Sequence, residues 1–312
     1  MSLADFLSGL LVAGLLGGAP LLLAALGEIF AERSGVLNLG VDGMMLAAAM
    51  AGFGTAVATG SPWLGLLAGA LMGAALSAVH AFAVVVCGGD QVVSGLALGF
   101  FGSGLASVIG GGLVGRSGPT LPELAVPGLA QLPFLGILGD SMQHGVPKIS
   151  TLVPLTALLA ALSWMLMERT RFGLFARAAG EDPDAARALG VSPRRQRLAG
   201  TLIGGVFAGL AGASLSVAVT PGWVDNLTGG QGWIAIGLVV FSRFKPWRAA
   251  LGAFLFGALR RSLLDLQGLP SLPFFKNPNL GYFLAMIPYL VTIVVLAAEG
   301  YARTRRASRA GA

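Results

Sequence analysis

Between residues 43 and 89 the chain carries no Asp, Glu, Lys or Arg. A helix needs about 20 mostly apolar residues to cross a hydrocarbon core roughly 30 Å thick. This stretch is too long for one crossing, and Thr59-Gly60-Ser61-Pro62 offers a turn that divides it into two. The whole chain is 55% hydrophobic and 11% charged, whereas soluble domains carry about 25% charged residues. Its 48 glycines fit the same reading. Glycine weakens helices in water, but in lipid small residues let helix backbones approach closely. The expected fold is all-α, a polytopic bundle of transmembrane helices.

Further apolar segments cover residues 6–27, 91–115, 150–167, 198–220, 226–242, 247–266 and 280–298. Together these give about nine crossings in one integral membrane domain over 1–312. Residues 247–266 are interrupted by Arg260 and Arg261. Residues 116–149 hold five prolines and read as an external loop. The single Cys87 has no disulfide partner within the chain. His80 lies in an apolar segment and His144 in a loop, so no metal site or other cofactor is expected. The net charge of +6 comes from arginines set between apolar segments. That pattern belongs to a lipid bilayer rather than to nucleic acid. The first residues lack the basic start of a signal peptide.

Charge also orients the chain. Residues 168–197 contain Arg169, Arg171, Arg177, Arg187, Arg194, Arg195 and Arg197, which marks this loop as cytoplasmic. Alternation of spans then brings Arg33, Arg243, Lys245, Arg248, Arg303, Arg305, Arg306 and Arg309 to the same side. That side holds fifteen of the 20 basic residues, while only Arg116, Lys148 and Lys276 fall clearly outside. The N-terminus is expected outside and the C-terminus in the cytoplasm.

Within that loop, Asp182 is a good N-cap, Pro183 suits the first helical position, and Gly190 suits the stop. A helix of about two turns is expected over residues 183–189. Its sequence, Asp184-Ala185-Ala186 followed after three residues by Gly190, resembles the Glu-Ala-Ala-x-x-x-Gly signature of permeases of ATP-binding cassette (ABC) importers. Asp stands here in place of Glu. The resemblance implies a coupling segment that docks on a cytoplasmic ATPase, comprising Arg177, Gly180, Glu181, Asp182, Pro183, Asp184, Ala185, Ala186 and Gly190.

A second resemblance is longer. Gly27-Glu28-Ile29-Phe30-Ala31-Glu32-Arg33-Ser34-Gly35-Val36-Leu37-Asn38-Leu39-Gly40-Val41-Asp42-Gly43-Met44-Met45 is similar to one branch of the ribose and branched-chain amino acid permease superfamily, the nucleoside importer permeases. Gln91-Val92-Val93-Ser94-Gly95-Leu96-Ala97-Leu98 and Gly232-Trp233-Ile234-Ala235-Ile236 resemble the same branch. The likeness runs from about residue 10 to the final span. It implies a type II importer-like permease of a bacterial inner membrane. Its partners would be a cytoplasmic ABC ATPase, a second permease subunit forming a heterodimer, and a substrate-binding lipoprotein. Relative to ribose-type permeases the chain is expected to lack the first helix. Asp184 and the Arg260-Arg261 pair depart from the branch pattern.

Glycines 35, 40 and 43 flank Asn38 and Asp42, so the backbone there can break. Non-helical backbone at membrane depth is tolerated where it is buried in protein or lines an aqueous cavity. The alternative is a plain cytoplasmic turn between the first two spans. A nucleoside is neutral, with a flat base and a hydroxylated sugar, and it calls for neutral hydrogen-bonding groups and aromatic faces. The candidate pathway residues are Asn38, Asp42, Gln91, Ser94, Asn226, Gln231 and Trp233. Trp233 also suits an interfacial belt, and Gln91 and Ser94 a helix N-terminus.

No phosphate-binding G-x-x-x-x-G-K-[ST] loop is present, so ATP hydrolysis is expected on another chain and this subunit is not an enzyme. Alternatives are the same machinery carrying a simple sugar or branched-chain amino acid, or a self-sufficient secondary transporter or channel. The last class often embeds carboxylates in the membrane, whereas Asp42, Asp90 and Asp265 fall near expected span ends.

Overall fold

A computed structural model describes residues 3–125 and 148–267, together with Met286 and Leu290. The regular structure of the described chain is helical apart from one short antiparallel strand pair. In order, the helices are α1 (Leu3–Arg33), α2 (Val41–Thr59), α3 (Pro62–Ala81, continuing as a π-helical turn Phe82–Val86) and α4 (Gln91–Gly110). Strands β1 (Glu123–Ala125) and β2 (Lys148–Ser150) follow. Then come α5 (Leu152–Arg169), α6 (Arg171–Glu181), α7 (Pro183–Ala188), α8 (Pro193–Ser214, ending in a π-helical turn Leu215–Val219), α9 (Gln231–Ser242) and α10 (Pro246–Gln267).

Among the described residues, six helices are long and apolar enough to cross a membrane: Leu10–Arg33, Val41–Thr59, Pro62–Val86, Gln91–Leu113, Leu152–Arg169 and Pro193–Val219. The expected total of about nine is not reached on this criterion. The segment expected over 226–242 is a helix of only 12 residues, preceded by non-helical chain. The segment over 247–266 is helical, but its Arg248, Arg260, Arg261 and Asp265 dilute its apolar character. The segment over 280–298 lies outside the described residues, as does most of the proline-rich loop.

The turn between α2 and α3 forms as the sequence dictates. Gly60 takes the left-handed conformation (φ 71°), and Pro62 opens α3 behind Ser61, whose hydroxyl accepts from the Leu64 amide. The first helix differs. It was expected to end near residue 27, yet it continues through Glu28 and Glu32 to Arg33, and Glu28 is buried.

Glycine sets how the helices meet. Gly65, Gly69 and Gly73 recur one turn apart on α3, as Gly205 and Gly209 do on α8. A methyl group at Gly73 would lie 2.1 Å from the Gly205 carbonyl oxygen, and one at Gly209 would lie 2.2 Å from that of Gly69. Only glycine permits that approach, in which backbone packing replaces the hydrophobic drive that lipid does not supply. On the other flank Gly18 abuts Ala253, and Gly257 abuts Gly14 and Gly18, so α10 lies along α1. Apolar side chains such as Phe100 and Val108 of α4 and Leu158 of α5 point outward, as a bilayer-facing surface requires.

Candidate functional site

Residues 34–40, between α1 and α2, are neither helix nor strand, and Ser34, Val36, Asn38 and Gly40 are buried. Their backbone groups are satisfied by side chains from three helices. The Asn38 amide donates to Glu28 Oε1 at 3.0 Å. The Leu37 amide donates to Gln91 Oε1 at 2.7 Å, while Gln91 Nε2 donates to the Gly35 carbonyl at 3.4 Å. His80 lies with Nε2 3.2 Å from the Leu37 carbonyl and Nδ1 2.9 Å from Ser94 Oγ. Asn38 Oδ1 accepts from the Gly40 amide at 2.9 Å and turns the chain into α2.

This segment climbs through the bundle and is not a surface turn. Ser34 packs on Gly200 and the Met45 carbonyl packs on Gly212, both on α8. From one contact to the other α8 rises about 18 Å at 1.5 Å per residue. Asp42 sits a turn before Met45, well inside the thickness of the protein. Its position at the first turn of α2 is a span end, as the sequence indicated. Glu28 is buried as well, within the last turns of its own span.

A second break faces the first. Residues 220–230 leave the end of α8 without helical structure and lead into the half-length α9. Their outer part is anchored by buried Trp223, against which a methyl at Gly110 would fall 2.3 Å from the indole nitrogen. Their inner part reaches Asp42, whose Oδ2 accepts from Thr228 Oγ1 at 3.2 Å. Asp42 Oδ1 accepts from the Gly232 amide at 2.9 Å, within the first turn of α9. The carboxylate therefore lies where the N-termini of α2 and α9 converge, the electrostatically favoured end of both helices.

The candidate pathway residues divide accordingly. Asn38, Gln91 and Ser94 gather around the climbing segment, and the N-cap of α4 is Asp90 rather than Gln91 or Ser94. Asp42 marks the junction, with Gln231 buried in the turn beside it. Asn226 stands apart, exposed at a left-handed position (φ 57°), and Trp233 is 46% exposed on α9. Sequence reading missed Glu28, His80 and Thr228. A histidine and a glutamate inside apolar runs were signals enough for two of these, but Thr228 carried no local signal.

The segment expected to couple to an ATPase has the expected local form. Asp182 Oδ1 accepts from the Asp184 and Ala185 amides at 3.0 Å each. Gly190 is left-handed (φ 78°), with its amide donating to the Arg187 carbonyl and the Val191 amide to that of Ala186. These two bonds close the helix C-terminus as a Schellman motif. Asp184, Ala185 and Gly190 are exposed, whereas Ala186 is buried within the chain and offers no surface to a partner. Arg177 donates to the Met167 carbonyl and lies 3.8 Å from Glu168. Glu181, at the end of α6, is exposed. A methyl at Gly180 would fall 2.4 Å from the Arg33 carbonyl oxygen and 3.0 Å from the Gly35 amide. The basic loop thus touches the start of the climbing segment directly.

Comparison with known proteins agrees with these features. The chain is 40% identical to TsgC13 of Haloferax volcanii, a protein provisionally named as a glucose ABC transporter permease, over 94% of this chain and 92% of the relative. It is 35% identical to the guanosine ABC transporter permease protein NupQ of Bacillus subtilis, over 95% of this chain and 93% of that one. It is 34% identical to the nucleoside ABC transporter permease protein NupC of Lactococcus lactis, over 91% and 89%. No solved structure matches the chain. The profile of the permease component of branched-chain amino acid transport systems matches residues 10–296, and the chain belongs to that family: it is a multi-pass permease subunit of an ABC transporter, working with an ATPase and a substrate-binding protein.

Proposed function

We propose that this subunit imports nucleosides, and that the two facing backbone breaks form its translocation path. The observation that carries the reading is the chemistry around residues 34–43. Asn38, Gln91, Ser94 and Gln231 are neutral, and the carboxylate of Asp42 is engaged by Thr228 and Gly232. A neutral, hydroxylated cargo suits such a path, and the segment resembles the nucleoside branch over residues 27–45. NupQ and NupC support the same cargo. Simple-sugar import is the second reading, favoured by TsgC13 of Haloferax volcanii.

In this reading α9 and α10 complete two further crossings, and the segment over 280–298 makes about nine. The N-terminus lies outside and the C-terminus inside a bacterial inner membrane. Residues 168–197 form the coupling loop on the ATPase, a second permease completes a heterodimer, and a lipoprotein delivers cargo. Uptake by proteoliposomes holding the permease, its ATPase, a second permease and the binding lipoprotein tests it. Labelled guanosine should accumulate only with ATP, and excess unlabelled glucose should not compete. Glucose accumulation without nucleoside uptake would replace the first reading by the second.

A further inference from the structure

We infer that this chain binds a phosphate group in a basic pocket between α7 and the start of α8. The pocket, about 490 Å³, is lined by Pro183, Arg187, Gly190, Arg194 and Arg197, with Val85 from the end of α3. Val85 and Pro193 belong to the ends of two candidate spans, so the pocket opens at a membrane surface. Among the described residues Arg187 pairs with Asp184 at 2.7 Å, while Arg194 and Arg197 have no ion pair. Arg197 Nε is buried without a hydrogen-bond partner.

The local electrostatics are inverted. The first turn of α8 favours negative charge, yet it holds Arg194 and no acidic residue, and Ser192 does not cap it. An anion in the pocket would pair with Arg194 and Arg197 and face the helix N-terminus. Guanidinium forks match phosphate oxygens in charge and geometry. Pro183 and Arg187, one turn apart, border the pocket, and Arg187 and Gly190 are themselves exposed. At a membrane surface the available phosphates are lipid headgroups and dissolved phosphate.

The test uses the full chain, delipidated in detergent, with thermal unfolding and native mass spectrometry as readouts. Phosphatidylglycerol should bind and raise the unfolding temperature. In Arg194→Ala/Arg197→Ala its affinity should fall by about tenfold or more, given the strength of charge-assisted bonds. Arg195→Ala, which removes a charge outside the pocket, should bind as wild type and keeps a general charge effect distinguishable. The exposed single variant Arg194→Ala reports the same loss if the double variant fails to fold. Protection by inorganic phosphate equal to that by the lipid identifies a dissolved ligand, and none identifies a headgroup. Equal lipid binding by wild type and the pocket variants, or no binding by wild type, overturns the proposal. Loss of ATPase co-purification in Ala185→Trp tests the coupling reading separately.

Discussion

Asp42 and Gly232 are separated by 190 residues in sequence, yet the carboxylate of one accepts the backbone amide of the other at 2.9 Å. This bond joins the first turn of α2 to the first turn of α9. With the Thr228 hydroxyl it fixes where two interrupted crossings meet.

Asp42→Ala should therefore destabilise the protein by about 1–2 kcal/mol, the usual cost of losing an N-terminal cap. Asp42→Asn, whose carbonyl still accepts, should lose less. Unfolding midpoints in detergent read out both. Equal midpoints for wild type and Asp42→Ala would mean that the bond holds nothing.

The glycine contact between α3 and α8 predicts a sharp contrast. Gly73→Ala places a methyl 2.1 Å from a carbonyl oxygen and should cost about 1–3 kcal/mol, or block folding. Gly104→Ala on α4 meets nothing within 4 Å and should be neutral. Expression and thermal midpoints of the two variants, measured side by side, check this.

Gln91 makes both of its bonds to the climbing segment. Gln91→Ala leaves the part-buried Leu37 amide without that partner, at a cost of about 1–3 kcal/mol. Gln91→Glu keeps the acceptor but loses the donor to Gly35, so it should fall between. Hydrogen exchange at Leu37 should quicken in the order wild type, Glu, Ala. An unchanged rate in Gln91→Ala would remove the clamp.

How much of this was legible beforehand depended on the range of the interaction. Asp182, Pro183 and Gly190 announced α7 because caps act within a few residues. Charge-free runs announced the six long spans for the same reason. The extension of α1 through Glu28 was not legible, because a buried carboxylate is stabilised by a loop amide ten residues on. A break after residue 220 was legible, but its extension to residue 230 was not, since its anchors, Gly110 and Asp42, come from distant parts of the chain. Of the candidate residues, those that hold backbone in place came together, while Asn226 and Trp233 did not.

In the proposed coupling helix, exposure separates two kinds of substitution. Ala185→Trp, on the exposed surface, should abolish co-purification of the ATPase while leaving the permease folded. Gly190→Val opposes a φ of 78° and should cost roughly 1 kcal/mol or more as well as the coupling. Ala186→Trp should instead unfold the loop, because that side chain is buried. Wild-type ATPase binding by Ala185→Trp and Gly190→Val would reduce the segment to a connector.

Topology is open to thiol labelling, provided that the exposed Cys87 is first replaced by serine. Ser117→Cys should react with an impermeant reagent added to intact cells, and Ser192→Cys only after lysis. The reverse pattern would invert the orientation.

The shortness of α9 bears on how the protein is made. Twelve residues of helix extend about 18 Å, too little for a hydrocarbon core of roughly 30 Å. The non-helical backbone of residues 220–230 would be costly against lipid alone. This segment therefore gains a stable place only after α2 and α4 offer Asp42 and the glycine face at Gly110. The order of synthesis supplies that condition, since both are in the membrane before residue 220 leaves the ribosome. A chain whose early helices assemble wrongly would expose the segment to quality-control proteases, making it a built-in checkpoint on assembly of the first half.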